Sequence, residues 1–144
     1  MVRKITMNDI EALTKLFVNV FNNTPWKEQW THKTANKRLQ DLIHTPGFRG
    51  MVLYEGNVLS GLVMGRCEQN YDGLYFHVME LCVNQSRQEM ELGKELLSDL
   101  MNFVKKDNVT KMYMYTKPEH MLKAIFEECG FVENSENSLM MRRI

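Results

Sequence analysis

The run LYFHVMELCVN, residues 74–84, constrains the fold more than any other stretch. It is mostly apolar with one acidic residue, Glu80, which is the pattern of a central strand rather than an edge. A polar loop with a single glycine follows, and then an apolar-periodic helix: VNQSRQEMELGKELL. Leu92, Leu96, Leu97, Leu100, Met101 and Val104 share one face of that helix. Lys105 and Lys106 stand at its C-terminus, where the helix dipole favours cations. A strand leading into a helix requires a crossover to the next strand, KMYMYTK, so the sheet cannot be a simple meander.

The rest of the chain supplies the other layers. Residues 2–5 read as an opening strand, with Thr6 as N-cap and Asp9 at the capping-box position of a helix running to Asn22. Ile10, Leu13, Leu16, Phe17, Val20 and Phe21 recur on it at helical spacing. NNTPW breaks that helix, and a second is expected over residues 34–44, ahead of the turn Thr45-Pro46-Gly47. GMVLYEGNVLSGLVMGRCEQ reads as two strands joined at Glu55-Gly56-Asn57. A helix is expected over residues 119–129, closed by Gly130 as an αL cap, and SLMMRRI reads as a last strand. A further short strand is placed at residues 131–133. The order β-α-α-β-β-β-α-β-α-β specifies an α+β (mixed α/β) fold.

Bulk properties exclude several classes. Eighteen basic and eighteen acidic residues leave no net charge, which gives no electrostatic case for nucleic acid or an anionic membrane. No stretch reaches the roughly 18 apolar residues that span a bilayer. Cys67, Cys82 and Cys129 form no CxxC pair and no cluster with histidines, so neither a metal site nor a disulfide framework is expected. A single domain over 1–144 in the cytoplasm is the expectation, with edge strands such as the last one inviting homodimerisation.

ELCVNQSRQEMELGKELL followed by AIFEECGF resembles the GNAT superfamily of N-acyltransferases, which use acyl-coenzyme A. The family pattern is an apolar-x-Val strand end, Arg or Gln, two residues, Gly, any residue, Gly or Ala, then a helix. Later comes an aromatic residue, three positions, and Gly-Phe. VFNNTPWKEQWT and TPGFRG are also similar to segments of the aminoglycoside 6'-type acetyltransferases. The resemblance implies a three-layer fold, with a twisted, mostly antiparallel sheet of six to seven strands and helices on both faces. It implies acetyl-CoA as co-substrate, held by Leu81, Cys82, Val83, Gln88, Glu89, Met90, Glu91, Leu92, Gly93, Lys94 and Phe126, and no metal.

Coenzyme A carries a pyrophosphate, and a helix N-terminus offers it free N–H donors and a partial positive charge. Glu91 stands where the family places its first glycine. If φ > 0 were needed there, strain of about 1–2 kcal/mol would follow, and the carboxylate would have to turn to solvent or repel the ligand. Arg87 and Lys94 offer compensating cations. Glu80 is the leading catalytic residue: a carboxylate in an apolar strand can take a proton from an ammonium group or hold a cationic acceptor. The alternative is a structural ion pair with a lysine or arginine. Alternation places Val78, Glu80 and Cys82 on one face and Met79, Leu81 and Val83 on the other. His77 reads as structural. Phe126 stands where many relatives carry a tyrosine that protonates the leaving thiolate; Tyr113 and Tyr115 are candidate substitutes. A backbone N–H near Cys82 or Val83 would stabilise the oxyanion. Trp26, Trp30 and Tyr75, with Glu28 and Asp72, are the candidate groups for a small amine acceptor. Two functions follow: acetyl transfer to a primary amine of a small molecule, or an acyl-CoA-binding sensor on the same fold without catalysis.

Overall fold

The computed structural model describes residues 1–86, 88–118 and 121–144. Its elements run β1 (Val2–Lys4), α1 (Ile10–Phe21), α2 (His32–Ile43), β2 (Phe48–Glu55), β3 (Val58–Asn70), β4 (Gly73–Val83), α3 (Glu89–Lys105), β5 (Val109–Tyr113) and α4 (Met121–Glu128), with a 3-10 turn at Met7–Asp9. The sheet has the order β1-β2-β3-β4-β5. Its first three pairings are antiparallel and the last, β4 with β5, is parallel. The crossover through α3 is what makes that last pair parallel.

Alternation along the strands sorts the core into two halves. On one face, Leu13, Phe17 and Val20 of α1 and Ala35 and Leu39 of α2 pack on Val52, Leu62, Met64 and Cys82. On the other, Leu96, Leu97 and Leu100 of α3 and Ile125 and Phe126 of α4 pack on Leu53, Val63, Phe76, Val78, Leu81 and Val83. Three layers result, with helices on both faces, as the resemblance implies.

The helix ends follow local chemistry. The Thr6 backbone N–H donates to Asp9 Oδ2 at 2.8 Å, and Arg3 Nη2 grips Asp9 Oδ1 at 2.6 Å. The second helix begins two residues earlier than expected because Thr31 caps it: its hydroxyl accepts from Thr34 N at 3.0 Å. At the end of α4, Gly130 takes φ +93°; its N–H reaches Glu127 O and that of Phe131 reaches Phe126 O, both at 3.0 Å. This is a Schellman closure, as the glycine predicts. The expected start of α4 at residues 119–120 lies outside the described residues.

Two expectations on strands are corrected. The described residues form five strands rather than six or seven: residues 131–144 carry no regular structure, so neither residues 131–133 nor SLMMRRI pairs. A strand needs a neighbour for its N–H and C=O groups, and this tail pairs with no strand among the described residues. The side-chain phase of β4 also differs. Met64 faces Glu80 but Gly65 faces Val78, so Met79 is an extra, unmatched residue. This β-bulge puts Val78 in the α3 core and turns Glu80 toward α2, away from the face of Val78.

Candidate active site

The bulge depends on the residue across from it. A Cβ on Gly65 would lie 1.9 Å from the His77 carbonyl oxygen, so only glycine allows β3 and β4 to approach there. Just past this point the sheet opens. β5 accompanies β4 only from Leu74 to His77, whereas β3 follows β4 as far as Val83. Among the described residues, one edge of β4 from Met79 to Val83 therefore has no strand beside it. The side chains of Leu81, Cys82 and Val83 are buried in the two core halves, so these residues face the opening through backbone alone.

The loop from Asn84 to Gln88 leads from that edge to α3. Asn84 N donates to Ser60 O at 2.8 Å, the Gln85 amide donates to Thr24 O, and Gln88 N donates to Ser86 Oγ at 3.2 Å. A cavity of about 360 Å³ lies beside the loop, lined by Asn19, Val20, Asn23, Thr24, Asn84 and Gln85. Arg87 lies outside the described residues. Helix α3 begins at Glu89 with Gln88 as N-cap, so its first turn presents N–H groups at the mouth of the opening.

The family's glycine positions work differently from expectation. Glu91 is inside the first turn of α3 in ordinary helical conformation, so no φ > 0 strain arises. Its carboxylate is turned to solvent, 3.9 Å from Lys94 Nζ. Gly93 is buried, and its Cα faces α4: an added Cβ would sit 2.7 Å from Ile125 Cδ1. Lys94 is drawn to Glu128 on α4 at 2.8 Å rather than to the loop. Leu92 belongs to the α3 core and Met90 packs at its margin. Glu89 is half-buried, and desolvation raises its pKa. Phe126 is 2% exposed and packs edge-on against Phe131 at 5.0 Å, so it is core rather than the wall of an open channel.

At this corner a strand edge without a neighbouring strand, among the described residues, lies beside a helix N-terminus, a backbone arrangement of the kind that receives a pyrophosphate, with Gln88 N already taken by Ser86 Oγ. Thr116 Oγ1, three residues past β5, is buried with no hydrogen-bond partner among the described residues. The acidic side chains Glu89 and Glu91 oppose an anion there, and Glu91 does so from solvent.

Glu80 sits on the other side of the bulge. Its side chain is 11% exposed, and Arg38 Nε of α2 donates to Oε1 at 2.6 Å. Burial raises its pKa, Arg38 pulls it down, and the nearby Glu28 carboxylate pushes it up again. The net direction is upward. Arg38 also lines a cavity of about 520 Å³ with Trp30, Thr34, Lys37, Met79 and Arg66. Trp30 is fixed there from three sides. Asn22 clamps its backbone N–H and C=O at 2.8 Å each, its indole N–H donates to Glu28 Oε1 at 2.7 Å, and its ring meets Phe17 at 4.9 Å.

The remaining candidates separate. Trp26 packs edge-on against Phe21 at 5.2 Å and joins the α1/α2 core margin. Tyr75 lies further along β4, its hydroxyl donating to Asp72 at 2.8 Å and accepting from Lys111 at 3.1 Å, away from the cavity. His77 stacks on Tyr113 with ring centroids 4.4 Å apart, and Tyr115 meets both rings edge-on. Desolvation lowers the His77 pKa, which favours the neutral ring. Tyr113 donates to Glu68, and burial together with that bond pushes its pKa up, making it a reluctant acid. Tyr115 is the more exposed of the two tyrosines. The Cys82 thiol is fully enclosed and its pKa is well raised, as befits a packing residue. Sequence reasoning missed Arg38 and Glu68: it allowed a lysine or arginine partner for Glu80, but nothing local tied Arg38 to it.

Comparison with known proteins agrees with this architecture. Residues 6–141 match the profile of the acetyltransferase (GNAT) domain. A structure described as a possible acetyltransferase from Clostridium difficile 630 superposes with a TM-score of 0.82 at 17% identity, covering 100% of this chain and 97% of that one. A GNAT family acetyltransferase from Staphylococcus aureus subsp. aureus USA300_TCH1516 gives 0.74 at 18% identity, covering 100% and 98%. An aminoglycoside acetyltransferase from an uncultured soil metagenomic sample, in complex with sisomicin, gives 0.73 at 16% identity, covering 100% and 95%. No curated protein matches the chain in sequence.

Proposed function

Because this chain belongs to the GNAT acetyltransferase family, we propose that it moves an acetyl group from acetyl-CoA to a primary amine of a small molecule, by direct transfer. The observation that carries the proposal is Glu80: a buried carboxylate with a raised pKa, turned by the bulge toward α2 and next to a strand edge left open. Acetyl-CoA, when bound, supplies an activated thioester carbonyl. The chain does the rest. Backbone N–H groups along the free edge near Cys82 and Val83 stabilise the oxyanion, and the first turn of α3 receives the pyrophosphate.

The acceptor side brings Glu28, Glu80 and the Trp30 ring beside a cavity that Lys37, Arg38 and Arg66 also line, so an ammonium group relies on the two carboxylates and the ring against those cations. An alkylammonium group has a pKa near 10.4 and must lose a proton before it attacks. Glu80 takes it, directly or through a water, and its raised pKa brings it nearer to a working base. Arg38 holds the carboxylate in place and pulls its pKa down against the effect of burial. A thiolate near pKa 8.5 departs without a strong acid, which accommodates Phe126 at the position of the family's tyrosine; Tyr115, more exposed than Tyr113, is the candidate donor.

One set of observations favours the sensor reading. Glu80 already has Arg38 as a partner at 2.6 Å, Phe126 has no proton to give, and Glu89 stands at the phosphate end. The two functions separate in one assay: thiol release from acetyl-CoA across a panel of primary amines. Acetyl transfer predicts amine-dependent release. Binding of acetyl-CoA with no release for any amine would leave the sensor in its place.

A further inference from the structure

In a chain without net charge, the cavity beside α2 gathers three cations, Lys37, Arg38 and Arg66, against a single lining carboxylate, Asp41. Trp30, Leu42 and Met79 supply its apolar lining. Lys37 is neutralised by Asp41 at 2.8 Å. The two arginines keep part of their binding capacity. Arg38 meets Glu80 through Nε alone, at 2.6 Å, and its terminal nitrogens make no hydrogen bond among the described residues. Arg66 meets one oxygen of Glu68 through Nε and Nη2, at 3.0 and 2.8 Å, and its Nη1 is likewise free among them. The side chains are 39% and 45% exposed, so solutes can reach them.

Each guanidinium is thus anchored on one edge by a carboxylate that does not line the cavity. An arginine held this way keeps rigid, directional donors for a second carboxylate. An acceptor with only positive charge finds Glu80 and Glu28 favourable and these donors opposed. A ligand that carries both charges satisfies both sets. Arg38 also fixes how far apart those charges stand. Its Nε holds Glu80, and the terminal nitrogens that line the cavity are attached to the same guanidinium carbon. An amine at Glu80 and a carboxylate at Arg38 are therefore close neighbours on the ligand.

We propose that the acceptor is an α-amino acid, its carboxylate bound by Arg38 and Arg66 and its side chain laid against Trp30, Leu42 and Met79. This rests on the acetyl-transfer reading and narrows its small amine to one class. The ammonium group gives one proton to Glu80, and the freed amine attacks the thioester carbonyl. A C–N bond forms, the C–S bond breaks, and the second amine proton ends on the departing thiolate. The ligand's carboxylate only positions the amine.

The test is a panel of the common α-amino acids, each beside its carboxamide and its decarboxylated amine, with thiol release from acetyl-CoA as the readout. The best amino acid is expected to exceed its amide in kcat/KM by about 10–100-fold, the scale of hydrogen bonds to a charged group. Basicity works the other way: the amide's α-amino group, with a pKa of about 7.7–8.0, is the more readily deprotonated. Arg66→Met is expected to raise KM about tenfold for the acid and less for the amide. An equal rise for both would mean that Arg66 only shapes the cavity and would overturn its assignment. Turnover of amides or decarboxylated amines as good as that of the acids overturns the proposal while acetyl transfer stands. If no member releases thiol, acetyl transfer to these amines fails, and calorimetric titration with each acid and its amide decides the site by itself. Binding of an acid but not its amide upholds the carboxylate site; equal binding, or none, overturns it. Should Arg66→Met fail to fold, the panel on the unaltered chain still decides.

Discussion

At residue 80 a carboxylate is held where water is scarce, and its partner Arg38 offsets only part of that cost. If Glu80 is the base, Glu80→Gln is expected to lower kcat by about 10²–10⁴-fold, the usual contribution of general acid–base catalysis. Acetyl-CoA affinity is expected to stay unchanged. Equal losses in both would mean that Glu80 shapes the site rather than working in it. The pH profile gives a second readout. Since the Glu80 pKa is raised above its ordinary 4.5, the acidic limb of kcat/KM is expected above the normal glutamate range, and Arg38→Met is expected to move it higher still. A limb at ordinary glutamate pH would contradict this. The same shift has a stability sign: the folded state binds the proton more tightly than the unfolded chain, so stability falls as pH rises through that window.

Asp9 has the opposite sign. Its bond to Arg3 holds the carboxyl below 3.8, so its stabilisation is complete above that pH and disappears as pH falls through the lowered value. Asp9→Ala is expected to cost about 2 kcal/mol at neutral pH, the scale of a hydrogen bond to a charged group. Urea melts of both proteins should converge in acid; a gap independent of pH would refute the electrostatic assignment.

The elements of this fold differ in how much of them was legible. Helices α1 and α3 are carried by apolar period, and the three antiparallel strands by their turns and composition; local signals suffice for these. The Gly130 cap is equally local. The bulge at Met79 is not, because it exists only through Gly65 on another strand, and alternation alone misassigned the faces of Val78 and Met79 while keeping Glu80 with Cys82. Gly93 was legible as a glycine but not in its purpose, which is contact with Ile125 on α4. Arg38 joins Glu80 across forty-two positions of sequence, a pairing that no local pattern encodes. The bulge can be tested directly. Gly65→Ala forces a methyl against the His77 carbonyl and is expected to cost about 3 kcal/mol, the upper scale of overpacking, with loss of activity in the folded fraction. A variant as stable as the parent in a thermal melt would show that the strands tolerate the group.

Across the whole molecule, three layers set a strand edge and a helix N-terminus at the gap where β5 leaves β4, with the Glu80 carboxylate turned toward α2 on the other side of the bulge. None of the four helices is long and apolar enough to cross a membrane, among the described residues. The sequence motif located the gap because its strand, loop and helix are contiguous. The cavity beside Arg38 was only partly visible, since Trp30 was singled out in the sequence whereas Arg66 and Met79 arrive from the sheet. The central claim is that this gap receives acetyl-CoA despite the acidic residues at its rim. Calorimetric titration of the unaltered protein with acetyl-CoA tests it most directly. The account predicts saturable binding at one site per chain, made tighter by about fivefold in Glu91→Gln, the scale of one like charge removed at a wet surface. No heat of binding at millimolar acetyl-CoA, with the protein folded, would contradict it.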